Sequence, residues 1–144
     1  MWIYLQKTGE LYHDGKLIGT GYAGGNKGKN PEGTNNPAMQ QVHNIGPIPC
    51  GEWEVHGPPF DDPRLGKYVM RLVPREGTNT FGRSGFCLHG DSIEHPGCAS
   101  EGCPVQNRAV RVQVWESGDR CWYVIPDKPP ASTMPPDLDG EISV

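Results

Sequence analysis

The chain has 144 residues, a formal net charge of −4 and an isoelectric point of about 5.7, and its 13 Lys and Arg residues are scattered, which excludes a basic footprint for nucleic acid. Hydrophobic residues make up only 35%, while Gly (20) and Pro (15) are abundant, so a helical bundle is excluded and short strands joined by long, shaped loops are expected within one domain. No apolar stretch approaches the roughly 20 residues of a membrane span.

The first 22 residues read as a β-meander. Trp2-Ile3-Tyr4-Leu5 is the first strand, Glu10 to His13 the second, and Asp14-Gly15 is the strongest hairpin signal in the chain. Lys16 to Tyr22 returns as the third strand. The N-terminal segment lacks a basic start, a long apolar run and a small-residue cleavage site, so no Sec-type leader is expected and export would need other machinery. Ala23 to Pro49 is rich in Gly, Asn and Pro, with a helical turn expected near Pro37 to Gln41. A segment this long with little regular structure is often functional.

Glu52 to His56 and Lys67 to Val73 read as strands around a Pro-rich turn at Pro58 to Pro63. Phe86 to His89 is a short apolar strand, and residues 90–106 form an irregular loop. The next segment has two readings: Val110, Val112 and Val114 alternate like a strand, whereas Asn107 and Gly118 would cap and end a helix. Arg120 to Ile125 is a final strand, and residues 126–144 are a Pro-rich tail expected to lie extended over the surface. Trp53, Tyr68, Trp115 and Trp122 read as core residues. His13, His43, His56 and His95 have no chemical context and read as loop or surface residues.

Chemistry is concentrated between Phe86 and Cys103. A histidine at a strand end (His89) and a cysteine in a glycine-containing turn (Cys103) can meet across one loop. An imidazolium beside a thiol favours the thiolate, and the same ring can later protonate a leaving amine. Gly102 permits a tight turn, so that amides near Cys103 could face a developing oxyanion. From spacing alone such a pair is more often structural than catalytic. A zinc site that draws on His89 and His95 is a competing reading of the thiols.

The wider motifs resemble a family. His89-Gly90, a short loop, then Ser100-Glu101-Gly102-Cys103 is similar to the signature of the L,D-transpeptidase (YkuD-like) catalytic domain. Asn35-Asn36-Pro37-Ala38, the stretch Asn44-Ile45-Gly46-Pro47-Ile48-Pro49 with Gly51, and Phe81-Gly82-Arg83-Ser84-Gly85-Phe86 resemble the branch of that superfamily made of type VI secretion effectors that target peptidoglycan. The similarity runs from about residue 20 to residue 125.

This resemblance implies a mostly β fold, an L,D-transpeptidase-like β-sandwich with one or two short helices and long loops. It implies a cysteine-dependent L,D-carboxypeptidase or L,D-transpeptidase that attacks the bond between meso-diaminopimelate and the terminal D-alanine of a tetrapeptide stem. Cys103, His89 and Ser100 would be catalytic, and Gly102 and Gly90 would supply backbone around the oxyanion. Arg83, Asp91 and Arg108 would bind substrate, with Arg111 a further candidate. No metal or organic cofactor is required. Expected partners are peptidoglycan stem peptides, free D-amino acids, a cognate immunity protein and the secretion machinery, and the expected place of action is the periplasm of a target bacterium. Pro104 follows Cys103 where many members carry Ile or Val, and the nearest following arginine is Arg108, so the substrate arginine is left open. Ser100 either supports the histidine or caps the turn, and Asp91 either joins the site or makes an Asx turn.

Five cysteines, Cys50, Cys87, Cys98, Cys103 and Cys121, leave at least one unpaired within the chain. The expectation is a free Cys103, with any disulfide joining Cys98 to Cys121 or Cys50; four buried thiols are the alternative. Two other functional classes compete with the toxin: a phage or housekeeping wall-remodelling enzyme of the same fold, separable by gene neighbourhood, and a non-catalytic wall-binding module, separable by the reactivity of Cys103.

Overall fold

The computed structural model describes residues 1–129. Within them the protein is mostly β with one α-helix. β1 (Trp2–Leu5), β2 (Glu10–His13) and β3 (Lys16–Thr20) form the expected meander. Asp14 and Gly15, at φ of 50° and 80°, make its second turn, a conformation that Asp and Gly tolerate best. β3 stops at Thr20, short of the expected Tyr22, because Tyr22 leaves β2 and pairs with Val105. Short 3-10 turns occupy Pro31–Gly33, which was not foreseen, and Pro37–Met39, within the expected helical turn.

β4 (Gly51–Asp62) and β5 (Gly66–Pro74) form a long hairpin. The expected turn over Pro58 to Pro63 is corrected here, since the strand runs on to Asp62 and the chain reverses over residues 63–65. The ladder jumps from His56↔Arg71 to Phe60↔Val69, so Pro58 and Pro59 lie in a bulge, where no ladder amide is required of them. Oδ1 of Asp62 holds the reversal by accepting from the amides of Arg64 (2.8 Å) and Leu65 (3.0 Å).

β6 (Cys87–Leu88), α1 (Arg108–Glu116) and β7 (Cys121–Ile125) complete the described elements. The two readings of residues 107–118 resolve as a helix. Asn107 Oδ1 accepts from the Val110 amide at 2.9 Å, and Gly118 takes φ 73° just past the end. Val110 and Val114, one turn apart, are buried in the core, while Val112 between them is only half-buried.

All seven strands join one sheet in the order β3-β2-β1-β7-β4-β5-β6. β1 lies parallel to β7 and β4 antiparallel to it, which places Trp2, Trp122 and Trp53 in one row across three adjacent strands. These indoles form the centre of the core with Tyr4, Val55, Leu72, Leu88 and the helix valines. The opposite face of β1 is also covered, with Ile3 and Leu5 packing on Tyr12 and Ile125.

Among the described residues the sheet has no second layer of strands to face, and instead its two ends are stitched together. Tyr22, just past β3, and His89, just past β6, both bridge Val105. Val105 donates to the Tyr22 carbonyl at 2.8 Å, His89 donates to Pro104 at 3.2 Å, and Gln106 donates to the His89 carbonyl at 3.0 Å. Residues 104–106 therefore act as a seam that closes the curled sheet around its core, and the segment that ends at Cys103 leads directly into it. Among the described residues no helix is long and apolar enough to cross a membrane.

Candidate active site

The seam explains why His89 and Cys103 come together. His89 leaves β6 and is fixed beside residues 104–106, the segment that Cys103 immediately precedes. Both line one cavity of about 360 Å³, together with Phe86, Lys27, Glu101 and Arg64.

The His89 side chain is 1% exposed. Its Nδ1 lies 2.8 Å from the Gly90 carbonyl, an acceptor only, so Nδ1 carries the proton and Nε2 is the basic nitrogen of the neutral ring. Burial, reinforced by the Arg111 guanidinium, lowers the His89 pKa below its ordinary 6.5. The ring is thus neutral at physiological pH.

Cys103 is half-buried. Its Sγ accepts from the Cys87 amide at 3.3 Å and lies 3.8 Å from the Gly85 carbonyl. Burial pushes the thiol up to about 12, against the opposing pull of the Cys87 amide. The expected thiolate–imidazolium pair is therefore not the resting state. The thiol and imidazole are both neutral, and the imidazole is not among the hydrogen-bond partners of Sγ. This arrangement can still run acyl transfer if Nε2 removes the thiol proton as the sulfur attacks, because the buried Nε2 is unprotonated and available.

Ser100 caps the turn and does not touch the histidine. Fully buried, its Oγ accepts from the amides of Gly24 (2.8 Å) and Gly102 (2.9 Å) and donates to the Cys103 carbonyl (2.7 Å). Of its two expected roles, the hydrogen bonds are those of the turn cap. The Gly102 amide is directed to Ser100 and not to the cavity; the Cys103 amide, which has no partner among the described residues, is a backbone donor left in that turn. Gly102 is required for shape instead: at φ 147°, a Cβ there would lie 2.4 Å from Arg83 Nη2. Gly90 contributes its carbonyl to orient His89, and a Cβ on it would strike Arg111 Nη2 at 2.6 Å.

The three expected substrate contacts are each engaged within the protein. Arg83 is 6% exposed and its guanidinium is spent on backbone, reaching the carbonyls of Gln40, Pro47 (2.9 Å), Gly46 (2.8 Å) and Glu101 (3.3 Å). It braces the 40–47 loop against the cysteine turn and has no fork left for a carboxylate. Asp91 organises its own loop: Oδ1 accepts from Tyr22 Oη (2.6 Å), Ser92 N (2.8 Å) and Gly97 N (3.1 Å), the Asx-type role. Arg108 stacks over the Tyr68 ring at 4.8 Å and does not line the cavity. Arg111 is likewise structural, donating to the carbonyls of Gln106, Lys67 and Tyr68.

Sequence reasoning missed Arg64, Lys27 and His43, which do line the cavity. Arg64 sits just past the Pro58 to Pro63 segment that was read as a turn, and the Asp62-Pro63-Arg64-Leu65 Asx turn was the signal available.

The five cysteines are all free thiols. Cys50 Sγ contacts Gln6 Oε1 (3.2 Å) and Cys121 Sγ contacts Arg75 Nη2 (3.2 Å), while Cys98 packs near Gly28, so the expected pairings of Cys98 with Cys121 or Cys50 are absent. Among the described residues no three His, Cys, Asp or Glu side chains cluster as metal ligands. Compared with known protein families, curated proteins and solved structures, the chain matches none.

Proposed function

We propose that the protein is a cysteine acyl-transfer enzyme that removes or exchanges the terminal D-alanine of peptidoglycan tetrapeptide stems. The observation that carries the reading is the shared cavity of His89 and Cys103, with His89 Nδ1 committed to the Gly90 carbonyl so that Nε2 is the free base. The ordered motifs around these residues supply the substrate class, by resemblance alone.

In this mechanism His89 Nε2 accepts the thiol proton while Sγ bonds to the diaminopimelate carbonyl carbon. The tetrahedral intermediate collapses as its carbon–nitrogen bond breaks, and His89 returns the proton to the departing amine of D-alanine. The acyl group is then a thioester on Cys103. Water, deprotonated by His89, releases a tripeptide stem, whereas the amine of a free D-amino acid gives an exchanged tetrapeptide. Both outcomes remove the substrate of ordinary cross-linking, which supports the reading as an antibacterial effector delivered to a rival's periplasm and matched by an immunity protein.

Mass spectrometry of peptidoglycan fragments tests this. Incubation with the protein should convert tetrapeptide to tripeptide stems with release of D-alanine, and added D-methionine should give a tetrapeptide of altered mass. Unchanged fragments would overturn the reading. Directing the protein to the periplasm of a susceptible cell should be toxic only when Cys103 is intact.

A further inference from the structure

The chain carries a net charge of −4, yet its cavity is lined by three cationic side chains, Lys27, Arg64 and Arg83, and one carboxylate, Glu101. An excess of positive charge gathered at one concave site of an acidic protein is a feature that recruits anions. The three cations are not equivalent. Arg83 is buried, and its two terminal nitrogens are taken up by four backbone carbonyls. Lys27 Nζ is paired with Glu101 Oε1 at 3.2 Å. Arg64 is exposed, and its guanidinium has no ion-pair, hydrogen-bond or ring partner among the described residues.

Its backbone, by contrast, is fixed. Asp62 Oδ1 holds the amides of Arg64 and Leu65, and Gly66 at φ 90° completes the reversal, so the hairpin tip presents Arg64 and Leu65 to the cavity that contains Cys103. A planar fork on an anchored turn, with all its donors unspent, matches a carboxylate in two-point geometry.

We propose that Arg64, at the tip of the β4–β5 hairpin, is the receptor for a substrate carboxylate beside Cys103. The proposal deepens the acyl-transfer reading and rests on it for the identity of the molecule that bears the carboxylate. A tetrapeptide stem offers two sources, the terminal D-alanine and the side chain of diaminopimelate.

A first experiment is independent of peptidoglycan chemistry. Cys103 is alkylated in parallel with iodoacetate, which carries a carboxylate, and with neutral iodoacetamide. Arg64→Gln should lower the iodoacetate-to-iodoacetamide rate ratio about three- to fivefold, the scale of one solvent-accessible ion pair, and Arg64→Lys should retain most of it. High salt should erase the difference. An unchanged ratio in Arg64→Gln, or a drop in Lys27→Gln alone, would overturn the assignment. A second experiment compares the parent protein and Arg64→Gln on a tetrapeptide, on the same peptide amidated at D-alanine, and on one amidated at the diaminopimelate side chain. The variant's penalty should vanish on whichever peptide lacks the recognised carboxylate, and a penalty that persists on both amidated peptides would contradict the proposal. If no peptide is turned over while the alkylation ratio still falls, the substrate reading fails and the carboxylate receptor stands.

Discussion

His89 and Cys103 line one cavity, and burial displaces each toward its uncharged form: the imidazole pKa falls below 6.5 and the thiol rises to about 12. Activity then requires neutral His89, so its acid limb should lie below pH 6.5, with the rate lost only as the pH falls through the lowered histidine value. The same geometry separates two properties that a preformed ion pair would join. His89→Gln should reduce turnover by about 100-fold or more, as loss of the general base and acid, while leaving the resting alkylation rate of Cys103 nearly unchanged. Parallel turnover and iodoacetamide kinetics across pH check this. A collapse of labelling together with activity would show that the imidazole supports a thiolate at rest.

At the scale of elements, the cysteine turn is shaped by side chains committed to backbone groups. Ser100 satisfies two amides and one carbonyl from a single buried hydroxyl, and Arg83 ties four carbonyls across two loops. Ser100→Ala should cost about 1–3 kcal/mol of stability, because it leaves buried backbone groups unpaired. It should also lower activity without moving the pH profile, which distinguishes positioning from proton transfer; thermal melts and a pH–rate profile are the measurements. The helix is a simpler case: Asn107→Ala should cost about 1 kcal/mol through loss of the cap on the Val110 amide. The sequence announced some of these elements well. Asp14-Gly15 located a hairpin, and Asn107 with Gly118 bracketed the helix, because their local backbone chemistry decides the outcome. It misjudged Pro58 to Pro63, since a bulge that excuses prolines from the ladder depends on where the partner strand lies. It left Arg83, Asp91 and Ser100 open between two roles: a polar residue near a nucleophile serves the loop or the substrate according to which backbone groups fold around it, and spacing does not record that.

For the whole molecule, the decisive feature is the seam of residues 104–106, which joins the two ends of the sheet and seats Cys103 beside His89 in the same stroke. No local pattern foretold it, because Val105 pairs with Tyr22 and His89 only after the entire sheet has curled. Closure of this kind also removes the need for covalent staples. Cys50, Cys98 and Cys121 lie against different neighbours and Cys103 is free, so reductant should leave the melting temperature unchanged, and alkylation of the unfolded, unreduced protein should modify five thiols. A melting temperature that fell with reductant would reveal a disulfide in the folded protein.

The central claim is that Cys103 becomes acylated by a peptidoglycan stem. Acid-quenched intact-mass spectrometry after brief mixing with a tetrapeptide, followed by peptide mapping, reads this directly. A tripeptide acyl adduct is predicted on the peptide that contains Cys103, absent in Cys103→Ala and accumulating in His89→Gln only on longer incubation. An adduct on Cys87 or Cys98 instead, or continued release of D-alanine by Cys103→Ala, would contradict it.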